Sequence, residues 1–369
     1  MAEKSLSRRR TLQLSGAAFV GTIAGCNTPE ASNASTEAPK SSATDRVQQS
    51  DIQADSSSAA EQSIYTPVYN ESIISTVLVQ TDTGQGTGFL IDEEYIVTNQ
   101  HVVGKVESVD IRFHDGSWET SRVAGTDVYS DLAVTRVSSV PADVAPLAFI
   151  DDEPAVGQEV VVIGNPFGLD GTATTGIVSG VNRSIPSPAG YSIPDAVQTD
   201  AAVNPGNSGG PIVSLGGNVV AVINSGGGEN VAFGISAALA SRVVPHLIES
   251  GSFDHPYMGV QFQSVTPAVA AANGLNEPHG ILVADVLHGT PADGVLQPSP
   301  QMEFVDGQRV PVGGDIILTL NETPITTLED LSSYLALNTR PGQTISVTVY
   351  RNESEQTLDL ELGTRPAPQ

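Results

Sequence analysis

A single cysteine, Cys26, rules out an intramolecular disulfide and a cysteine-based metal centre within the chain. Lysine is almost absent as well: Lys4, Lys40 and Lys105 are the only ones, and arginine supplies the other positive charges. Against 16 Lys+Arg stand 42 Asp+Glu, for a net charge of −26. Such a surface repels nucleic acid and anionic lipid headgroups. No run of 18 apolar residues occurs, which excludes an ordinary helical membrane span. Abundant acid with little lysine is the balance of proteins adapted to molar salt, where the Debye length falls to about 3 Å and self-repulsion is screened. The composition therefore points to a halophilic source, of archaeal type. A length of 369 residues suggests roughly two or three domains.

What is present begins with an address. Ser7-Arg8-Arg9-Arg10-Thr11-Leu12 precedes a modestly apolar stretch, Leu14 to Ala24, that ends in Ile23-Ala24-Gly25-Cys26. A positive start, a short apolar segment and small residues before a cleavage point describe an export signal over residues 1–26. The paired arginines match the twin-arginine type, and Ile-Ala-Gly-Cys resembles a lipobox with Cys26 as the lipidated residue. Removing this segment takes away four basic groups and one acidic one, so −26 becomes −29. Residues 27–64 are small and polar, with Val47, Ile52 and Ile64 as their large aliphatics and no aromatic. Such a segment cannot bury enough apolar surface to offset its chain entropy and reads as a tether.

From Tyr65 the pattern changes to short β-branched runs separated by Gly, Asp and Asn. Ser72–Gln80, Gly88–Ile91, Tyr95–Thr98, Val106–Phe113, Leu132–Val137, Glu159–Ile163, Gly176–Val181, Val197–Thr199, Gly210–Val213 and Val219–Ile223 are the expected strands. Many short strands closed by turn residues indicate an all-β barrel or sandwich. Helical periodicity is convincing at Ala237–Glu249, where Leu239, Val243 and Leu247 share a face.

Three segments carry chemistry. Tyr95-Ile-Val-Thr-Asn-Gln-His101 runs a buried strand into a turn bearing His101, and Ser130-Asp131-Leu-Ala-Val134 places Asp131 at the start of another strand. Asn204-Pro-Gly-Asn-Ser-Gly-Gly-Pro211 sets Ser208 among glycines, which permit positive φ and close approach. In such a turn the N–H groups of Gly206 and Ser208 can point at one spot and hold a developing oxyanion. Acyl transfer by serine needs a hydroxyl, an imidazole to move its proton, and a carboxylate to fix the imidazole tautomer. His101, Asp131 and Ser208 supply one each, in the chain order His…Asp…Ser. Asp127 lies four residues before Asp131, but no buried strand follows it directly. His114 sits in a polar turn, and Asp115, Asp151 and Asp152 read as surface charge. Asp200 reads as a brace for the nucleophile loop.

The chain resembles the HtrA/DegP family of trypsin-like serine proteases from residue 72 to about 360. The strings that carry the resemblance are Gly86-Thr-Gly-Phe-Leu-Ile91, Val97-Thr-Asn-Gln-His-Val102, Ser130-Asp-Leu-Ala-Val134, Ile163-Gly-Asn-Pro-Phe-Gly168, Gly176-Ile-Val-Ser179, Gln198-Thr-Asp-Ala-Ala202 and Asn204–Pro211. The resemblance implies a two-barrel protease over 65–252 and a PDZ domain over 255–363. It implies His101, Asp131 and Ser208 as the triad, with Gly206 and Ser208 as oxyanion donors. Residues 223–235 correspond to the family's substrate-binding strand and pocket, with Asn224, Ser225 and Phe233 as pocket residues. Val231-Ala-Phe-Gly-Ile-Ser236 departs from the family's usual Gly-Phe-Ala-Ile-Pro string, and no acid stands there to receive a basic side chain. In the second domain, Tyr257, Met258, Gly259 and Val260 correspond to the loop whose N–H groups capture a peptide carboxylate. Residues 295–311 form an insertion relative to the family.

These readings give an exported serine endopeptidase for protein quality control, anchored only through lipid at Cys26. Its partners would be unfolded or C-terminal peptides, with no nucleic acid, no metal and no organic cofactor. The resemblance also implies a homotrimer joined through about Tyr65–Ile74. The alternative is a chaperone or peptide-binding module whose protease is dormant.

Overall fold

The computed structural model describes residues 63–367, apart from 166–170, 229 and 306. The expected signal at 1–26, with Cys26, and nearly all of the 27–64 tether lie outside the described residues. The first element is a helix, α1 (Tyr65–Ile73). The sequence reading assigned Ser72 and Ile73 to the first strand, and the structure corrects this. Tyr65, Val68, Ser72 and Ile73 recur at helical spacing, and Val68 is buried against Val161, Ile163 and Val213 with Tyr65 and Ile73 alongside. The apolar residues at the end of the tether thus cover their own barrel.

The first barrel contains β1 (Thr76–Thr81), β2 (Gly84–Leu90), β3 (Tyr95–Asn99), a one-turn α2 (Gln100–Val103), β4 (Ser108–Arg112), β5 (Trp118–Asp127) and β6 (Leu132–Arg136). It closes in the order β1-β2-β3-β6-β5-β4. The second contains β7 (Glu159–Gly164), β8 (Thr172–Pro186), β9 (Ser192–Thr199), β10 (Pro211–Ser214), β11 (Val219–Gly228) and β12 (Val231–Ser236), closed as β10-β11-β12-β9-β8-β7. β5 is absent from the sequence reading because its buried positions are Ser121, Gly125 and Asp127 and it offers no apolar run.

Between the barrels lies α3 (Ala237–Ser250). Ser236 caps it by accepting from Leu239 N, and Gly251 ends it at φ 80°. Its face of Leu239, Val243 and Leu247 packs on Phe89, Val97 and Leu132 of the first barrel and on Val222 and Ile235 of the second. Each such side chain, fully buried, contributes roughly 1.5–3 kcal/mol.

The third module contains β13 (Pro256–Tyr257), β14 (Val260–Ser264), α4 (Pro267–Ala272), β15 (Ile281–Val286), β16 (Gln301–Val305), β17 (Gln308–Val312), β18 (Ile316–Leu320), β19 (Thr323–Pro324), α5 (Leu328–Asn338), β20 (Thr344–Arg351), β21 (Ser354–Glu361) and β22 (Gly363–Thr364). Its main sheet runs β14-β15-β18-β20-β21, and the insertion becomes the β16–β17 hairpin. α5 starts after Thr327, which is its cap and forms a capping box with Asp330. The described residues form one compact unit. Ser333 Oγ donates to Asn182 Oδ1 at 2.5 Å, Asn182 Nδ2 donates to Asp330 Oδ1 at 3.0 Å, and the Arg242 guanidinium donates to the Leu337 and Thr339 carbonyls. These bonds seat α5 on β8 of the second barrel and on α3. β13 pairs with β22, so the chain enters and leaves the module side by side.

Candidate active site

His101 rides on the single turn α2, and Asp131 is the residue before β6. Asp131 is 1% exposed and holds φ 55°, a left-handed conformation that costs a residue with a Cβ roughly 1 kcal/mol or more. Its surroundings fix it there. Its carbonyl accepts from Gln100 N at 3.0 Å and Asn99 Nδ2 at 3.1 Å. Its Oδ1 accepts from His101 N at 2.9 Å, and its Oδ2 lies 2.6 Å from His101 Nδ1. One carboxylate therefore caps the turn that carries the imidazole and orients the ring as well.

A further donor reaches the same oxygen. Asn224 Nδ2 donates to Asp131 Oδ2 at 2.6 Å from the middle of β11. The sequence reading placed Asn224 in the substrate pocket. Its carboxamide is instead 2% exposed and spent on Asp131, because the β11 backbone aims it behind the imidazole. What Asn224 turns toward Ser208 is its carbonyl, which accepts from Ser208 Oγ at 3.1 Å. Among the described residues no hydrogen bond joins the His101 ring to Ser208. Ser225 pairs with Phe233 across β11 and β12, and Phe233 packs half-buried against the core between the barrels.

The nucleophile turn is gripped by the first barrel. Thr87 N donates to Ser208 O at 2.8 Å, and Thr87 Oγ1 donates to Gly206 O at 2.6 Å while accepting from Asn165 N at 3.0 Å. Gly206 has φ 100° and Gly209 has φ 86°. A Cβ on Gly209 would stand 2.1 Å from Thr87 O and 2.3 Å from Thr98 Oγ1, so that position is closed to any side chain. Within the turn Asn207 N and Gly210 N find acceptors, at Asn204 O and Asn207 O, and Gly209 N finds Ile223 O. The amides of Gly206 and Ser208 have no acceptor among the described residues, which leaves both N–H groups free for an incoming oxygen. Asp200 Oδ1 accepts from Ile177 N at 2.7 Å and so ties the approach to this turn to β8.

This arrangement of barrels and side chains has counterparts. A solved HtrA-type protease, AlgW with a tripeptide, superposes with a TM-score of 0.67 at 31% identity, covering 82% of this chain and 98% of that one. The chain belongs to the HtrA family of trypsin-like serine proteases. Its residues 86–222 match the trypsin-like peptidase domain and residues 256–362 the PDZ domain. The same HtrA-type protease with a decapeptide gives a TM-score of 0.65 at 27% identity, covering 82% of this chain and 99% of the other. Among curated relatives, the "probable periplasmic serine endoprotease DegP-like" of Rhizobium meliloti is 39% identical over 291 residues, 77% of this chain and 54% of that protein. Its namesake in Hahella chejuensis is 37% identical over 289 residues, 76% and 57% of the two chains. The chain thus spans about half the length of the curated relatives it matches. These relatives are bacterial and lend no support to the archaeal source expected from composition.

In this HtrA chain the segment Tyr257–Val260 leads from β13 through a tight turn into β14. Met258 buries its side chain in the module's core, and Gly259 turns at φ 80° with a Cβ position only 2.2 Å from Thr290. The amides of Met258 and Gly259 have no acceptor among the described residues. Val260 opens β14, which is an edge strand with α5 alongside, the geometry of a slot for one added strand.

Two acidic groups behave unlike ordinary carboxylates. Asp127, set aside by the sequence reading, is the last residue of β5 and is 5% exposed. Burial alone would raise its pKa, but hydrogen bonds from His255 and Ser130 and the His255 charge outweigh that and hold it below the usual range. Asp195, at φ 55°, is pushed up mainly by burial and further by Glu153, against the Ser236 hydroxyl that donates to it.

Proposed function

We propose that this chain is an exported serine endopeptidase that cleaves unfolded or misfolded proteins through an acyl-enzyme. The observation that carries the reading is the buried Asp131 bonded to His101 and joined through Asn224 to Ser208, whose turn holds two amides free. Ser208 Oγ rotates away from the Asn224 carbonyl toward His101 Nε2 and attacks the scissile carbonyl carbon. His101 takes the hydroxyl proton, and Asp131 stabilises the resulting cation. The carbonyl oxygen, now negative, is held by Gly206 N and Ser208 N. As the C–N bond breaks, His101 returns the proton to the leaving amine, and water then hydrolyses the ester by the same route. The rotation also frees the Asn224 carbonyl to accept an N–H from the bound peptide.

The edge of β14 and the Tyr257–Val260 loop take an extended C-terminus, which concentrates substrate near the barrels. Export through the 1–26 signal, anchoring at Cys26, work at high salt and a threefold assembly through the exposed face of α1, at Thr66, Pro67, Asn70 and Glu71, complete the proposal. The periplasmic names of the relatives support export. The main chain of Asn224, with Ser225 and Phe233, shapes the subsite before the scissile bond, which suits a small aliphatic residue.

One observation favours a second reading, a peptide-binding chaperone with a dormant protease: the Ser208 hydroxyl is engaged by Asn224 O and not by His101. Cleavage of casein by the chain lacking residues 1–26, in low and molar salt with Ser208→Ala as control, decides between them. Casein loss with wild type alone establishes the peptidase. Equal stability of casein in both preparations, with prevention of client aggregation, establishes the chaperone.

A further inference from the structure

A second imidazole–carboxylate pair lies one turn away from the first. His255 Nε2 is 2.8 Å from Asp127 Oδ2, and the two side chains are 9% and 5% exposed. The residues are 128 positions apart: Asp127 ends β5, and His255 belongs to the segment that leaves the barrels for the PDZ module. Asp127 organises the turn leading to Asp131. Its Oδ2 accepts from Ser130 N at 3.0 Å and from the Ser130 hydroxyl, and its Oδ1 accepts from Tyr129 N at 3.3 Å. The next residue is Asp131, held at φ 55°.

We propose that His255 is a positioning residue for the proposed serine-protease chemistry: its imidazole holds Asp127, and through Asp127 the turn that sets Asp131 against His101. This inference rests on the peptidase reading above. His255 is itself held in place. Phe253 and Tyr129 meet its ring edge-on, with centroids 4.8 and 5.3 Å away, and Arg365 N donates to its carbonyl at 2.8 Å. The Arg365 guanidinium stacks 3.9 Å from the Tyr129 ring, and Tyr129 OH donates to Pro366 O at 2.5 Å. The charged and titratable groups around His255 are thus Asp127 from β5, Tyr129 from the following turn and Arg365 after β22. Tyr191 stands beyond Tyr129, and His246 of α3 stands beyond Phe253.

Removing the imidazole leaves a buried carboxylate with fewer donors at the base of the turn. An active-site displacement of 1 Å costs about 10²-fold in rate. His255→Ala should therefore lose roughly 10- to 100-fold in kcat for a short chromogenic peptide, with KM nearly unchanged. The same loss should appear in the rate at which a fluorophosphonate labels Ser208. His255→Gln keeps an N–H at the same reach without a titrating ring, and serves if the alanine variant does not fold. Its labelling rate should recover to near the wild-type value, because the donor to Asp127 is restored. A folded His255→Ala labelled at the wild-type rate, or a folded His255→Gln roughly ten-fold or more slower than wild type, would overturn the proposal while the peptidase reading stood. A wild type that no fluorophosphonate labels, with Ser208→Ala indistinguishable from it, would sink the peptidase reading and this inference together.

Discussion

Ser208 and Asn224 are bonded through the serine hydroxyl and the asparagine carbonyl, 3.1 Å apart, while the asparagine carboxamide reaches past them to Asp131. One residue of β11 thus touches the nucleophile with its backbone and the carboxylate with its side chain. Truncating Asn224 to alanine removes a buried hydrogen bond to a charged acceptor, a class of interaction that contributes about 1.5–3 kcal/mol. The expected result is a fall in kcat of roughly 10- to 100-fold, with KM for a short peptide little changed. Steady-state kinetics on such a peptide checks it, and a loss confined to KM would return Asn224 to the substrate pocket.

Ser208→Ala should abolish proteolysis and leave the melting temperature intact, with a loss of about 10⁴ to 10⁶ in kcat by analogy with serine-protease triads. Asp131→Asn should lose roughly 10⁴ near neutral pH, because the wrong tautomer then faces the serine. Comparison of labelling by fluorophosphonate across the two variants separates loss of the nucleophile from loss of its activation.

Asp127→Asn should act on stability as much as on rate. The folded pKa of Asp127 is depressed, so its contribution is present above the ordinary carboxylate pKa and disappears as pH falls through the lower folded value. The variant should be about 1.5–3 kcal/mol less stable than wild type at neutral pH. The two should converge in strong acid. Denaturant melts across the acid range test this, and a difference that stays constant with pH would exclude the charge as its source.

Asp195→Asn should have the opposite sign. The folded pKa of Asp195 is raised, so the wild type is stabilised below the ordinary carboxylate pKa and loses that stability as pH rises through the higher folded value. Asparagine keeps an acceptor for Ser236 and tolerates φ 55°. The variant should melt higher than wild type at neutral pH and with it in acid, as calorimetry can determine.

Thr87→Val keeps shape and removes the hydroxyl that joins Gly206 O to Asn165 N. The buried Asn165 N–H then loses its partner, at about 1–3 kcal/mol, and the part-buried Gly206 carbonyl loses a donor. Activity should drop roughly 10-fold or more through a loosened oxyanion turn. Weaker inhibition by a peptide boronate, relative to a ground-state product peptide, would report the loss at the oxyanion site.

The barrels and the nucleophile turn were legible because β-branched runs and glycine-rich strings state local geometry directly. His101, Asp131 and Ser208 could be picked out because each follows or precedes such a run. Asn224 could be located but not understood: only the closing of β11 onto the first barrel reveals that its carboxamide faces backward. Asp127 was set aside for want of an apolar strand behind it, yet its importance comes from a partner 128 residues away. α1 was misread in part because a short segment with two buried positions four apart suits a helix or a strand until something is packed against it. The β5 strand was missed because the positions it buries, Ser121, Gly125 and Asp127, carry no hydrophobic signature.

Gly209 leaves no room between Thr87 and the turn that bears Ser208, and Thr87 N is bonded to the Ser208 carbonyl. The two barrels therefore meet main chain to main chain at Thr87 and Ser208, with no side chain on Gly209 to absorb a misfit. Neither barrel can be exchanged alone for one from a relative: a chimera that swaps residues 76–136 without the 204–211 turn inherits a mismatch at the nucleophile itself. Recombination between members of this family can preserve the centre only by moving the first barrel and that turn as a pair.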